Sequence, residues 1–280
     1  MADLDLRPLS LGEMLDRTFS LYRQHFVLFV GIAAIPQLLI LAMHLGQVFL
    51  VTGGARFKTA SGGVVALSVV GALVGIIVYL VAYLFAQGGT VYAVSELYLG
   101  RTTTIGASLR RMRGEAGNLL GVMLLNGLAI AGGLILLLIP GFYLACRLIT
   151  CIPAALLENL GARESLERSF RLTKDNAGRS FVIYLLYFVL LYAAALLFAF
   201  PFLFAVTMSA KDPTMVRIWM SLSQVGGFLA TVLITPIFTI ATAVFYYDLR
   251  VRKEAFDLQL MMNPGGNVAP AGGRVGSILS

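Results

Sequence analysis

The residue types that most often carry catalysis are scarce and badly spaced. His25 and His44 are the only imidazoles in 280 residues. They stand at opposite ends of one apolar run, about 28 Å apart if that run is helical, so they cannot share a site on it. Cys146 and Cys151 are five positions apart inside an apolar stretch. That spacing is neither a Cys-x-x-Cys redox pair nor a zinc motif, and it reads as two buried thiols. No His-x-x-x-His, Gly-x-Ser-x-Gly or Gly-rich phosphate loop ending in Lys-Ser/Thr is present. Acidic pairs suited to acid–base work exist, Glu13 with Asp16 and Glu164 with Glu167, but Arg17 and Arg168 sit beside them and salt bridging is the better reading. The expectation is a non-enzyme with no metal and no cofactor.

Arg147 is different, because it falls inside an apolar helix, about six residues after Pro140-Gly141. An ionisable group there is a functional candidate by default. Its expected partners are Asn126 or Gln37 on other spans, or a lipid phosphate. The competing reading is that it snorkels to the outer headgroups. Glu158 ends the same helix and is expected to pair with an arginine of the segment at 164–174. Pro36, Pro153, Pro201 and Pro236 also fall inside spans, where each can kink its helix, and Gly71-x-x-x-Gly75 reads as a small-residue packing face.

The elements that must position these groups follow from composition. Charged residues are 12% of the chain and hydrophobic ones 59%, against roughly 25% charged in soluble domains. Mean hydropathy is +0.87. Such a chain cannot cover a water-facing surface, nor is it polar enough to be disordered. It is expected to be an all-α polytopic membrane protein. A crossing needs about 20 apolar residues, and the gaps between charges accommodate six helices, at about 26–50, 64–87, 118–139, 142–159, 181–209 and 218–247. Pro140-Gly141 supplies the turn between the third and fourth. Gly88-Gly89 is expected to bend the second, with 90–99 beyond it as an extension or interfacial segment. Residues 1–262 form the membrane domain. The Gly- and Pro-rich end, 263–280, is expected to be a disordered cytoplasmic tail.

Of 21 lysines and arginines, 16 fall in the N-terminal segment, 96–115, 158–179 and the C-terminal segment. The opposite side holds Arg56, Lys58, Lys211 and Arg217, with Arg147 near it. The positive-inside rule therefore puts both termini in the cytoplasm. Of the 14 acids, 13 lie on the arginine-rich side. The net +7 is thus no polybasic patch, and no nucleic-acid partner is expected. Membrane lipids are, together with a protein partner at the cytoplasmic face. The expected ion-pair network there comprises Glu13, Asp16, Arg17, Glu158, Glu164, Glu167, Arg168, Asp248, Arg250, Arg252 and Glu254.

One segment recurs. Residues 13–23 read EMLDRTFSLYR and 164–174 read ESLERSFRLTK, identical at 5 of 11 positions. A fainter copy is Ser108-Leu109-Arg110-Arg111. Each precedes a pair of spans, so three units are expected, each an amphipathic helix followed by a helical hairpin. Glu13 with Arg17 and Glu164 with Arg168 have i,i+4 spacing for ion pairs.

LRPLSLGEMLDRTFSLYRQHF at 6–26, IPGFYLACRLITCIPAALLENLGARESLERSFRLTKDNAGRSF at 139–181 and YYDLRVRKEAFDLQL at 246–260 resemble the glycerophosphodiester phosphodiesterase membrane-domain family and related bacterial membrane proteins. The resemblance implies a bacterial inner-membrane protein of about six helices. In some members the domain precedes a soluble phosphodiesterase barrel. Only 20 residues follow Leu260 here, too few for a barrel of about 250, so the hydrolase activity is not expected to transfer. The functional expectation is a scaffold or accessory in lipid or envelope homeostasis. A lipid-translocating protein or transporter, and a membrane subunit assisting a phosphodiesterase in trans, are the alternatives.

Overall fold

The computed structural model describes residues 8–53 and 62–254. Within them are ten helices and no strand. In chain order these are α1 Leu11–Gln24, α2 Phe26–Gly53, α3 Gly62–Tyr98, α4 Ile105–Leu136, α5 Leu138–Arg147, α6 Cys151–Glu158, α7 Ala162–Leu172, α8 Ala177–Phe198, α9 Phe200–Met208 and α10 Pro213–Glu254. Six stretches are long and apolar enough to cross a membrane: Phe26–Phe49, Val69–Tyr98, Ile105–Leu136, Leu138–Glu158, Ala177–Phe198 and Pro213–Glu254. The chain is an all-α multi-pass membrane protein. The expected tail from 263, the N-terminal Arg7, and Arg56 and Lys58 lie outside the described residues.

Several expected punctuation marks act otherwise. Gly88-Gly89 does not end a span, since α3 runs unbroken through it. A Cβ on Gly88 would lie 2.1 Å from Met112 Sδ, and one on Gly89 3.0 Å from Ile32. These glycines admit α2 and α4 to the surface of α3. Pro140-Gly141 sits in the first turn of α5, and the chain reverses at Leu137, whose backbone is extended. Proline needs no N–H in a first turn, which also explains Pro153 in α6 and Pro201 in α9; Pro36 and Pro236 stay inside continuous helices. Gly71 has nothing within 4 Å, so of that pair only Gly75 packs, 3.2 Å from Met43.

Two expected single helices are divided. The fourth crossing breaks at 148–150 between α5 and α6, and the fifth is interrupted at Ala199 between α8 and α9. The break after Arg147 arises because the backbone there is captured from outside, as described below. The expected amphipathic segments at 13–23 and 164–174 are helices separate from their spans, α1 and α7. The third, at 108–111, is continuous with α4.

α10 organises the bundle. It has 42 residues, about 63 Å of helix, twice the roughly 30 Å hydrocarbon core. All of residues 235–251 except Phe238 are buried, among side chains of α1, α2, α3 and α8 such as Met14, Phe29, Val94 and Ile183. A second core joins α3, α4 and α6 through Leu84, Leu119, Val122 and Cys151. At the opposite end, Ile135 and Ile139 are 86% and 84% exposed, as lipid-facing residues are when the backbone is satisfied internally.

Candidate functional site

The charge-rich ends of α1, α6, α7, α8 and α10 converge on two linked clusters. α7 begins with Glu164 folded back onto the Gly161 amide at 3.3 Å, which caps the helix and leaves Arg168 free to turn inward. Arg168 Nε donates to both Glu158 oxygens at 2.9 and 2.8 Å. Its Nη1 and Nη2 donate to Glu254 at 2.5 and 2.8 Å. Tyr246 Oη donates to Glu158 at 2.6 Å, and Arg250 Nε to Glu254 at 3.1 Å. Burial works against the Arg168 charge, but the hydrogen bonds to Glu254 and Glu158 outweigh it and hold the guanidinium above its ordinary range.

The second cluster centres on Asp248, one turn before Arg252. Its side chain is fully buried. Asp248 Oδ1 accepts the Leu9 amide at 2.7 Å. Its Oδ2 accepts Arg179 Nη1 at 2.6 Å and Arg252 Nε at 3.0 Å. The same two arginines also donate to the Leu9 carbonyl. Leu9 just precedes α1, so this cluster ties the start of α1 to α8 and α10. Lys253 Nζ reaches the carbonyls of Arg171 and Lys174, placing a cation at the C-terminal end of α7, where the helix dipole favours one.

Of the expected network, the structure brings together Glu158, Arg168, Asp248, Arg250, Arg252 and Glu254. Glu13 instead caps α1, accepting the Ser10 amide at 2.7 Å, and Arg17 stacks on Tyr98 at 4.9 Å. Glu164 caps α7, so the expected Glu164–Arg168 pair gives way to Glu158 and Glu254. Glu167 pairs with Arg163 in solvent, and Asp16 is exposed outside the clusters. Arg179 and Tyr246 were not anticipated, because their partners stand 69 and 88 residues away. Their only sequence signal was position: an arginine opening a span and a tyrosine near the end of another.

Arg147 neither snorkels outward nor bonds to Asn126 or Gln37. Its Nη2 donates to the Phe170 carbonyl at 2.6 Å, and its guanidinium lies 5.2 Å from the Phe170 ring. Its own carbonyl accepts Ser169 Oγ at 2.9 Å and Thr173 Oγ1 at 2.8 Å. α7 thus takes over the backbone where α5 ends, which is why the crossing breaks there. Arg147 Nε and Asn126 Oδ1 are buried without a hydrogen-bond partner. Gln37 is buried on α2.

Chemically, every carboxylate oxygen of the two clusters accepts a hydrogen bond: three carboxylates meet four guanidiniums and a phenol, and the geometry offers a latch between helices. Among the described residues no group of three or more His, Cys, Asp or Glu is placed to hold a metal ion. Both cysteines are free and buried.

A family model described as the membrane domain of glycerophosphoryl diester phosphodiesterase matches residues 119–263. The chain belongs to that family. The matched region runs from within α4 past the end of α10 and contains every side chain of the two clusters, as well as Arg147. It leaves out α1, α2, α3 and the segment at 6–26. No curated protein and no solved structure gives a significant match to the chain.

Proposed function

We propose that this chain is a non-catalytic membrane scaffold in lipid or envelope homeostasis, offering its charge-rich end as a rigid platform to a soluble partner. The observation that carries the reading is the closure of the latch. Each carboxylate of the two clusters is engaged by a guanidinium of another helix, so neither cluster has one spare for acid–base work, while α7 turns Arg163 and Glu167 outward. The experiment has two arms. Purified protein in nanodiscs is assayed for hydrolysis of glycerophosphodiesters, and turnover would end the non-catalytic reading. Photo-crosslinkers at Arg163 and Glu167, with a lipid-facing control at Ile135, are activated in native membranes. One adduct specific to the α7 positions, and at Glu167 abolished by Arg163→Glu, is the expected result; identical patterns at all three positions would end the platform reading.

A second reading, lipid translocation, rests on the broken fourth crossing. Broken helices with polar groups at the break characterise transporter sites, and here Arg147 Nε and Asn126 Oδ1 lack partners. A groove of about 540 Å³ opens alongside, lined by Phe142, Tyr143 and Phe181. Vesicles containing the protein and a labelled phospholipid test it: exchange between leaflets no faster than in empty vesicles would dismiss it.

A further inference from the structure

The arginines of α4 are not used like those of α1 and α7. Arg111 turns toward the end of α3, with Nη1 2.8 Å from Glu96 and the guanidinium 4.7 Å from the Tyr92 ring. Arg110 and Arg113, on another face of the same helix, are exposed and make no hydrogen bond or ion pair with any described residue. They border a groove of about 450 Å³ between α2, α3 and α4, whose apolar walls include Ile35, Leu39, Val81 and Phe85. This volume is within the roughly 300–1,000 Å³ of small-molecule sites.

Depth decides what these arginines face. Val81 and Phe85 lie about 16–22 Å along α3 from Glu96, well inside the apolar span. Arg110 and Arg113 therefore lean toward hydrocarbon while Arg111 points away from it. A guanidinium so placed is stabilised by an anion, and the anion available at that level is a headgroup phosphate, which matches guanidinium donors in charge and geometry. A quaternary ammonium on the same headgroup would be repelled by two adjacent cations.

We propose that this groove binds one anionic glycerophospholipid of the bilayer, its phosphate between Arg110 and Arg113 and one acyl chain lying against Ile35, Leu39, Val81 and Phe85. This goes beyond the scaffold reading and does not depend on it.

The test is native mass spectrometry of the full chain in detergent, titrated with phosphatidylglycerol or with phosphatidylcholine of the same acyl chains. One phosphatidylglycerol is expected to bind roughly tenfold or more tightly than phosphatidylcholine, given two basic side chains at the surface. Arg110→Gln with Arg113→Gln should bring both lipids to equal affinity. Arg111→Gln should keep the preference, and Val81→Trp, which fills the groove without touching either arginine, should weaken both lipids. Circular dichroism checks folding, and if the double variant does not fold, Val81→Trp alone decides. Equal binding of the two lipids by the native chain, a preference surviving the double variant, unchanged binding by Val81→Trp, or displacement by excess inorganic phosphate would each overturn the proposal.

Discussion

At the scale of single residues, the latch converts solvent-avoiding charges into a requirement for company. Removing one partner of a buried ion pair strands the other, at a cost of about 3–5 kcal/mol, whereas replacing both by apolar groups is far milder. Arg168→Leu and Glu158→Leu should each lower the melting temperature of the detergent-solubilised protein sharply, and the double substitution should lower it less than either alone. Glu167→Ala breaks only the exposed pair with Arg163 and should change stability by under about 1 kcal/mol. A thermal-unfolding series over these variants checks the order. Sequence made half of this site legible. Glu158 and Arg168 are ten positions apart across a short turn, so their pairing could be anticipated. Arg179 with Asp248 could not, because long-range pairing depends on which helices lie side by side, and hydropathy is silent on that. Arg147 was conspicuous in the apolar run, but its partner is a backbone carbonyl, and every residue offers one.

At the scale of elements, charge gaps located the six crossings, because each must be apolar to enter a bilayer. Their internal breaks escaped, because a helix ends where its backbone finds other partners, as Arg147 does with Ser169 and Thr173. Glycine is the counterpart. A Cβ on Gly226 would fall 1.9 Å from the Phe198 carbonyl oxygen, a backbone atom, whereas on Gly88 it meets the flexible end of Met112. Gly226→Ala should therefore be strongly destabilising, Gly88→Ala less so, and Gly71→Ala close to neutral; folded yield after detergent extraction is the readout. The docking of α1 has its own signature. Tyr22 Oη donates to the Leu233 carbonyl at 2.8 Å, and burial raises its pKa from 10.0 to about 12. In the range between those values the undocked chain loses this proton and the docked chain keeps it. Stability from Tyr22 is thus complete below the lower value and declines as pH rises through the window. Amide exchange in α1 should quicken across that window, and Tyr22→Phe should flatten this dependence.

At the scale of the whole molecule, an even number of crossings places α1, α7 and the end of α10 at one end of the bundle. The loop between α9 and α10 lies at the other. In a variant lacking Cys146 and Cys151, Arg163→Cys should react with an impermeant thiol reagent from the side that labels Glu13→Cys, and Lys211→Cys only from the opposite side. Most of the arginines and lysines lie on the former side. Labelling of Arg163→Cys and Lys211→Cys from the same side would refute this topology.

The burial of α10 also has a bearing on biosynthesis. Residues 235–251 occupy the centre of the bundle, yet they are made after α1 through α9. Until they emerge from the ribosome and insert, Arg179 and the amide of Leu9 lack Asp248, Arg168 lacks Glu254, and α1 lacks the helix it packs on most. The core shared by α3, α4 and α6 contains no residue of α10 and can form earlier, whereas the core around residues 235–251 closes only with the last helix. Completion of the bundle is thereby deferred to the end of translation, and a chain interrupted before Tyr246 would leave Arg179 and the Leu9 amide without their shared carboxylate.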